Sequence, residues 1–153
     1  MPPNTQAFFE LLTPQLAAIC ASSLSKVAQQ CQKEMESDLA AVGVREGQHL
    51  HLFYPYAREQ RLLLEDALCG FPLLIPGEHI IIQDLQLLPQ DMQPDFASAL
   101  GLRSYLGVPL YLLNQRVGSL SVAYATPHQF TPAHRELLQH HADWVSELLQ
   151  LYL

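Results

Sequence analysis

"GLRSYLGVPLYLLNQRVGSLSVAYATPHQFT", residues Gly101–Thr131, is the stretch whose reading decides the fold. Two apolar runs, Tyr105–Leu113 and Val117–Tyr124, flank Asn114-Gln115, and this pattern predicts an antiparallel hairpin. Alternation along the first strand puts Tyr105, Gly107 and Pro109 on one face and Leu106, Val108 and Leu110 on the other. Gly107, Pro109 and Gly118 remove side-chain bulk or a ladder donor, so bends or an edge are expected there. Thr131-Pro132 then starts a helix. The threonine oxygen can accept from a first-turn amide, and proline at the first helical position gives up no needed donor.

That last helix is predicted over about 132–151. Leu138, Ala142, Val145, Leu149 and Tyr152 form one apolar row, and Leu137, Trp144, Leu148 and Leu151 form a second beside it. A helix with so wide an apolar face asks for more than one neighbour. At the other end of the chain, Thr13-Pro14 repeats the same start signal. Leu16, Cys20, Leu24, Val27, Cys31 and Met35 then recur at helical spacing, predicting a long helix over about 14–42 with Gly43 as its stop. Between the helices, His49, His51 and Phe53 alternate with Leu50, Leu52 and Tyr54 as a strand does. Ile80–Ile82 is a short β-branched run amid Gly and Pro. Residues 85–100 read as irregular backbone followed by a short helix from Pro94 that Gly101 closes. The expected organisation is one domain over 1–153, with sheet and crossover at about 48–125.

Composition narrows the classes. Of 153 residues, 49% are hydrophobic and 15% charged, the balance of a globular domain with a substantial core. A formal charge of −7 and eight scattered Lys and Arg argue against nucleic acid, which needs a concentrated basic surface. No uninterrupted apolar run reaches the roughly 20 residues of a membrane span, and no basic segment precedes "FFELL" as in a signal peptide, so no membrane partner is expected. Three cysteines in no metal or redox spacing are expected to be free thiols in the cytoplasm. Cys20 and Cys31 lie about 16 Å apart along one helix and cannot bridge.

The chain resembles a GAF domain. The resemblance rests on "IIIQDLQLLP" (Ile80–Pro89) and on Gly101–Gln139, which supply in order Asp84, Gly101, Ser104, Pro109, Leu110, Gly118, Leu120, Phe130, Thr131 and Leu137. Before Ile80 only the order of elements agrees. The resemblance implies an α+β fold: an antiparallel sheet with the N- and C-terminal helices packed on one face and a ligand pocket on the other, roofed by the crossover. It also favours a strand, paired with 49–54, for "REQRLLLEDAL", whose residues alone would suit a helix. Functionally it implies a regulatory, small-molecule-binding module. The marks of its specialised branches are missing from the sequence. There is no Asn-Lys-x-x-x-Phe-x-x-x-Asp/Glu pattern for cyclic nucleotides, no cysteine beside a histidine for a bilin, and no cysteine in "PDFASALGLRSYLGVPL" for methionine sulfoxide reduction.

Within this frame the candidate ligand-binding residues are Asp84, Phe96, Arg103, Tyr105 and Tyr124. Arg103 could receive a ligand carboxylate in bidentate fashion or pair with Asp84, Asp91 or Asp95. Phe96, Tyr105 and Tyr124 offer apolar area and hydroxyl groups. His49 and His51 have workable metal spacing but lack further ligands nearby, so no metal is expected. Cys69 has acidic neighbours in Glu65 and Asp66, which suit a buried, inert thiol better than a redox sensor. The sequence identifies no cofactor and no catalytic constellation. The expectation is a sensory module, homodimeric through its terminal helices. The alternatives are a redox enzyme of the methionine sulfoxide reductase kind and a purely structural dimerisation module.

Overall fold

The computed structural model describes residues 3–153, with the side chains of residues 3–6, 95 and 96 outside the described set. Four helices, α1 (Pro3–Met35), α2 (Phe71–Leu74), α3 (Asp95–Ala99) and α4 (Pro132–Leu151), surround one sheet. Its strands are β1 (Leu39–Glu46), β2 (His49–Tyr54), β3 (Arg58–Leu63), β4 (Ile80–Ile82), β5 (Ser104–Leu112) and β6 (Gln115–Tyr124). They run antiparallel in the order β3-β2-β1-β6-β5-β4.

The long first helix differs from expectation at both ends. It begins by Pro3 and runs through Pro14 without a break, although that residue has no N–H to donate. Phe9 and Leu12 pack on the same core as Leu16, Cys20 and Leu24, so packing on both sides of Pro14 outweighs one missing bond. The helix ends at Met35 and not near Gly43. Glu36 takes the left-handed conformation (φ 50°), and the Ser37 N–H donates back to the Gln32 carbonyl at 3.2 Å, a Schellman closure built without glycine. "LAAVGVRE", whose first four residues are expected to be helix, is instead the central strand β1. Buried on both faces, it reads as a continuous apolar run without alternation. Over Ala7–Met35, α1 also has the length and mean hydropathy (1.3) of a membrane-crossing helix, against the expectation from uninterrupted runs. Here one stripe of it, Leu16, Cys20, Leu24, Val27 and Cys31, packs on the sheet core.

The two faces of the sheet carry different cores. Leu106, Val108, Leu110, Leu120 and Val122 meet α1 and α4. The opposite face is covered by the segment after β3 and by the β4–β5 crossover, which bring Leu64, Leu68, Phe71, Leu85 and Leu102 over Ala41, Leu50, Leu52 and Tyr105. Arg116 clamps this cover. Its guanidinium donates to the carbonyls of Pro72 (2.9 Å) and Gly77 (2.9 Å). The second face thus belongs to the hydrophobic interior as fully as the first.

Local signals behave as their chemistry requires. Thr131 Oγ1 accepts from the His134 N–H at 3.3 Å, and the Thr131 N–H donates to His134 Nδ1 at 3.1 Å, a reciprocal cap on α4. "REQRLL" is β3, paired with β2 as the resemblance implied. Ser25 on α1 fixes the turn between them by donating to the Tyr54 carbonyl (2.6 Å) and accepting from the Ala57 N–H (2.8 Å). The β5–β6 turn falls one residue earlier than expected. Leu112 pairs with Gln115, so Leu113 and Asn114 are the two turn residues, with φ of 50° and 66°. Such a turn requires positive φ at both positions. Asn adopts that conformation readily, whereas Leu pays about 1–2 kcal/mol for it.

Two predictions follow from this geometry. Leu113→Asn relieves the left-handed penalty at an exposed site and should stabilise the fold by about 1 kcal/mol, raising Tm by about 2–4 °C in a thermal melt. Gly118→Ala should act the opposite way. A methyl there would meet the Gly43 carbonyl oxygen of the neighbouring strand, and urea denaturation should report a loss of about 2 kcal/mol or more.

Candidate functional site

The register of the β4–β5 pair brings the first two site residues together. Ile80, Ile81 and Ile82 face Gly107, Leu106 and Tyr105, and the same antiparallel register continued outward sets Asp84 opposite Arg103. Arg103 Nε donates to Asp84 Oδ1 at 3.0 Å and Nη2 donates to Oδ2 at 2.8 Å. Of the three aspartates open to Arg103 in the sequence, Asp84 is the partner. Its Oδ1 also accepts from the Gln86 N–H at 3.0 Å, capping the turn at Leu85–Leu87. The guanidinium and the turn amide hold the Asp84 carboxyl below its ordinary range, and the carboxylate raises Arg103 in return.

Beside this ion pair lies a crevice of about 170 Å³, walled by Leu85, Gln93, Ala97, Ser98, Leu102 and Arg103. Three of these side chains are apolar, two carry an amide or a hydroxyl, and one is a guanidinium. The ion pair uses two of the five guanidinium N–H groups, leaving donors for a second acceptor. Phe96 belongs to α3, and its side chain lies outside the described residues.

Tyr105 and Tyr124 stand on opposite faces of the sheet and do not share a site. Tyr105 points away from α1 and α4 and has no solvent exposure. Its hydroxyl lies 2.7 Å from Ser121 Oγ, and its ring meets Phe71 edge-on at 5.8 Å. Tyr124 points to the helices, where its hydroxyl donates to the Met35 carbonyl at 2.6 Å and its ring stacks on His128 at 4.2 Å. The reason is parity. Ser104, not Tyr105, is paired with Tyr124, and the pleat sends the two rings in opposite directions. Tyr124 therefore closes the end of α1.

Two serines that the sequence reading left aside, together with the buried Cys69, complete the face around Tyr105. Ser119 Oγ donates to the Cys69 carbonyl at 2.6 Å, and Ser121 Oγ meets the Tyr105 hydroxyl at 2.7 Å beside the Cys69 thiol. The signal was present in "GSLSVAY": serines at alternate positions opposite Leu120 and Val122 mark a polar row inside an otherwise apolar strand. Burial pushes the Cys69 thiol up to about 11 and Cys31 up to about 12, and it raises the Tyr105 phenol as well.

Of the two histidines at workable metal spacing, His51 has local partners. His51 Nε2 sits 2.7 Å from Glu59 Oε1 and its ring stacks on Phe53 at 4.2 Å, while His141 Nε2 joins α4 to Glu34 of α1 at 2.7 Å. Among the described residues no three His, Cys, Asp or Glu side chains form a group that could hold a metal ion.

The sequence matches the GAF domain family over residues 21–149. No curated relative matches it. Among solved structures, it is similar to the blue-light absorbing form of the PixJ GAF domain of Thermosynechococcus elongatus (15% identity, 90% of this chain and 88% of that one, TM-score 0.73). It is also similar to the type II free methionine-R-sulfoxide reductase of Thermoplasma acidophilum (16% identity, 90% and 97% covered, TM-score 0.69). A third match is the GAF domain of an Acinetobacter phosphoenolpyruvate-protein phosphotransferase (16% identity, 97% and 94% covered, TM-score 0.61). At these identities the structures establish the shared fold. With the family match spanning most of its length, the chain belongs to the GAF domain family, whose members are generally sensory or regulatory modules that bind small molecules.

Proposed function

We propose that this chain is a non-enzymatic regulatory GAF domain that binds a small molecule carrying an anionic or strongly accepting group in the crevice beside Asp84 and Arg103. The observation that carries the reading is Arg103 itself. One edge of its guanidinium is fixed by Asp84 at the rim of the crevice, which orients the remaining donors and lowers the cost of ordering them on binding. Ser98 and Gln93 add polar contacts, and Leu85 and Leu102 add apolar wall. This is the usual mixture for a small-ligand site.

The domain acts as a homodimer through its terminal helices. Support comes from apolar side chains left outside the core: Phe8, Leu11 and Ile19 on α1, and Trp144 and Leu151 on α4. Pairing with a second copy would cover them and supply the neighbour that the wide apolar face of α4 asks for. A reductase is disfavoured because the reactive species is the thiolate, and all three thiols are buried with raised pKa values. Free buried thiols also agree with a reducing, cytoplasmic setting. The purely structural alternative draws on one observation, the filling of the sheet face by Tyr105.

Native mass spectrometry of the purified protein separates these readings. The expected species is a dimer of twice 17.2 kDa that carries extra mass lost on denaturation, and Arg103→Ala should keep the dimer but lose that mass. A bare dimer would favour the structural module, and a monomer at micromolar concentration would remove the helix-pairing argument.

A further inference from the structure

The face of the sheet that a GAF ligand would be expected to occupy is filled by the chain's own phenol. Tyr105 lies over Gly107, the next residue on the same face of β5, so closely that a methyl at Gly107 would collide with the ring and hydroxyl. Gly107 pairs directly with Ser121 of β6. The ring therefore crosses the one bare position on the strand and delivers its hydroxyl to the serine opposite that position, 2.7 Å away. Phe71 closes the side of the ring edge-on, and the Cys69 thiol lies beside the Ser121 hydroxyl at the polar end. Flat apolar walls, a bare floor and a hydrogen-bonding end are what a free phenol would need.

We infer that the sheet side of this domain is a phenol-binding site held shut by Tyr105, which acts as a tethered ligand and confines any free ligand to the rim. Four features belong to the site rather than to the tyrosine: Gly107, Ser121, Cys69 and Phe71. They persist when the tyrosine side chain is removed. A phenol supplied in solution can then take its place, binding the folded state alone and stabilising it by mass action. This inference stands apart from the rim crevice, since it does not involve Asp84 or Arg103.

The test is the thermal stability of Tyr105→Ala, of Tyr105→Leu and of the unaltered protein, followed by circular dichroism with and without phenol, with toluene as the probe lacking a hydroxyl. Phenol at ten times its Kd should raise the Tm of Tyr105→Ala by about 3–6 °C. If that variant is unfolded in buffer alone, phenol should restore its helical signal. Tyr105→Leu, in which an aliphatic side chain takes up the space, and the unaltered protein should not respond, and toluene should act more weakly than phenol. The inference is overturned if phenol changes neither melting nor helical signal of Tyr105→Ala. A shift of equal size in all three proteins, or equal action by toluene, would overturn it as well.

Discussion

The hydrogen bond between the Tyr105 hydroxyl and Ser121, 2.7 Å long and closed to water, is the contact on which the character of this domain depends. Through the pleat of β5 and β6 it sorts the central hairpin into two rows. Leu106, Val108, Leu110, Leu120 and Val122 go to the helices, while Tyr105, Gly107, Ser119 and Ser121 go the other way. A polar row inside the protein must be satisfied internally, since a buried unpaired hydroxyl costs about 1–3 kcal/mol. Here the row satisfies itself: Tyr105 meets Ser121, and Ser119 meets the Cys69 carbonyl of the covering segment. The cover is thereby tied to the sheet, and Arg116 ties its far end through the carbonyls of Pro72 and Gly77.

Shared architecture leaves function open. Solved structures with this fold include light-absorbing GAF domains and a free methionine sulfoxide reductase, at identities of 15–16%. Function in such a family is decided by a few side chains on common strands. In this chain Tyr105 of β5 folds back over Gly107, and the three thiols, two on α1 and one after β3, are buried. The open chemistry lies at the rim, where Asp84 and Arg103 meet across the extended register of β4 and β5.

Much of this was legible in the sequence, for identifiable reasons. The β5–β6 hairpin, the Thr131 cap and α4 were read correctly because each has a local cause: apolar runs around a turn, a hydroxyl before a proline, a 3.6-residue stripe. The central strand β1 was missed because "LAAVGV" is buried on both faces and offers no alternation, and because Ala and Leu continue the helical spacing of α1. The end of α1 was misplaced because Glu36 occupies a left-handed position for which glycine was the expected signal. At the site, pairing of Arg103 with Asp84 needed the strand register, which no single segment contains. The separation of Tyr105 from Tyr124 depends on the one-residue register shift between Leu110 and Tyr111, without which parity counted across the turn would place both rings on one face, whereas the serine row is visible at alternate positions of "GSLSVAY".

The most direct measurement is the ionisation of Tyr105 followed by NMR of protein labelled at the tyrosine ring Cζ, with Tyr105→Phe assigning its resonance among the six tyrosines. Buried, bonded to Ser121 and beside the Cys69 thiol, its phenol is held well above the ordinary value of 10.0. The Tyr105 signal should therefore stay in place as the pH passes 10.0 and move only when the protein unfolds. A titration with a midpoint near 10.0 in the folded protein would mean that water reaches the ring, and the account of a closed, self-occupied sheet face would be wrong.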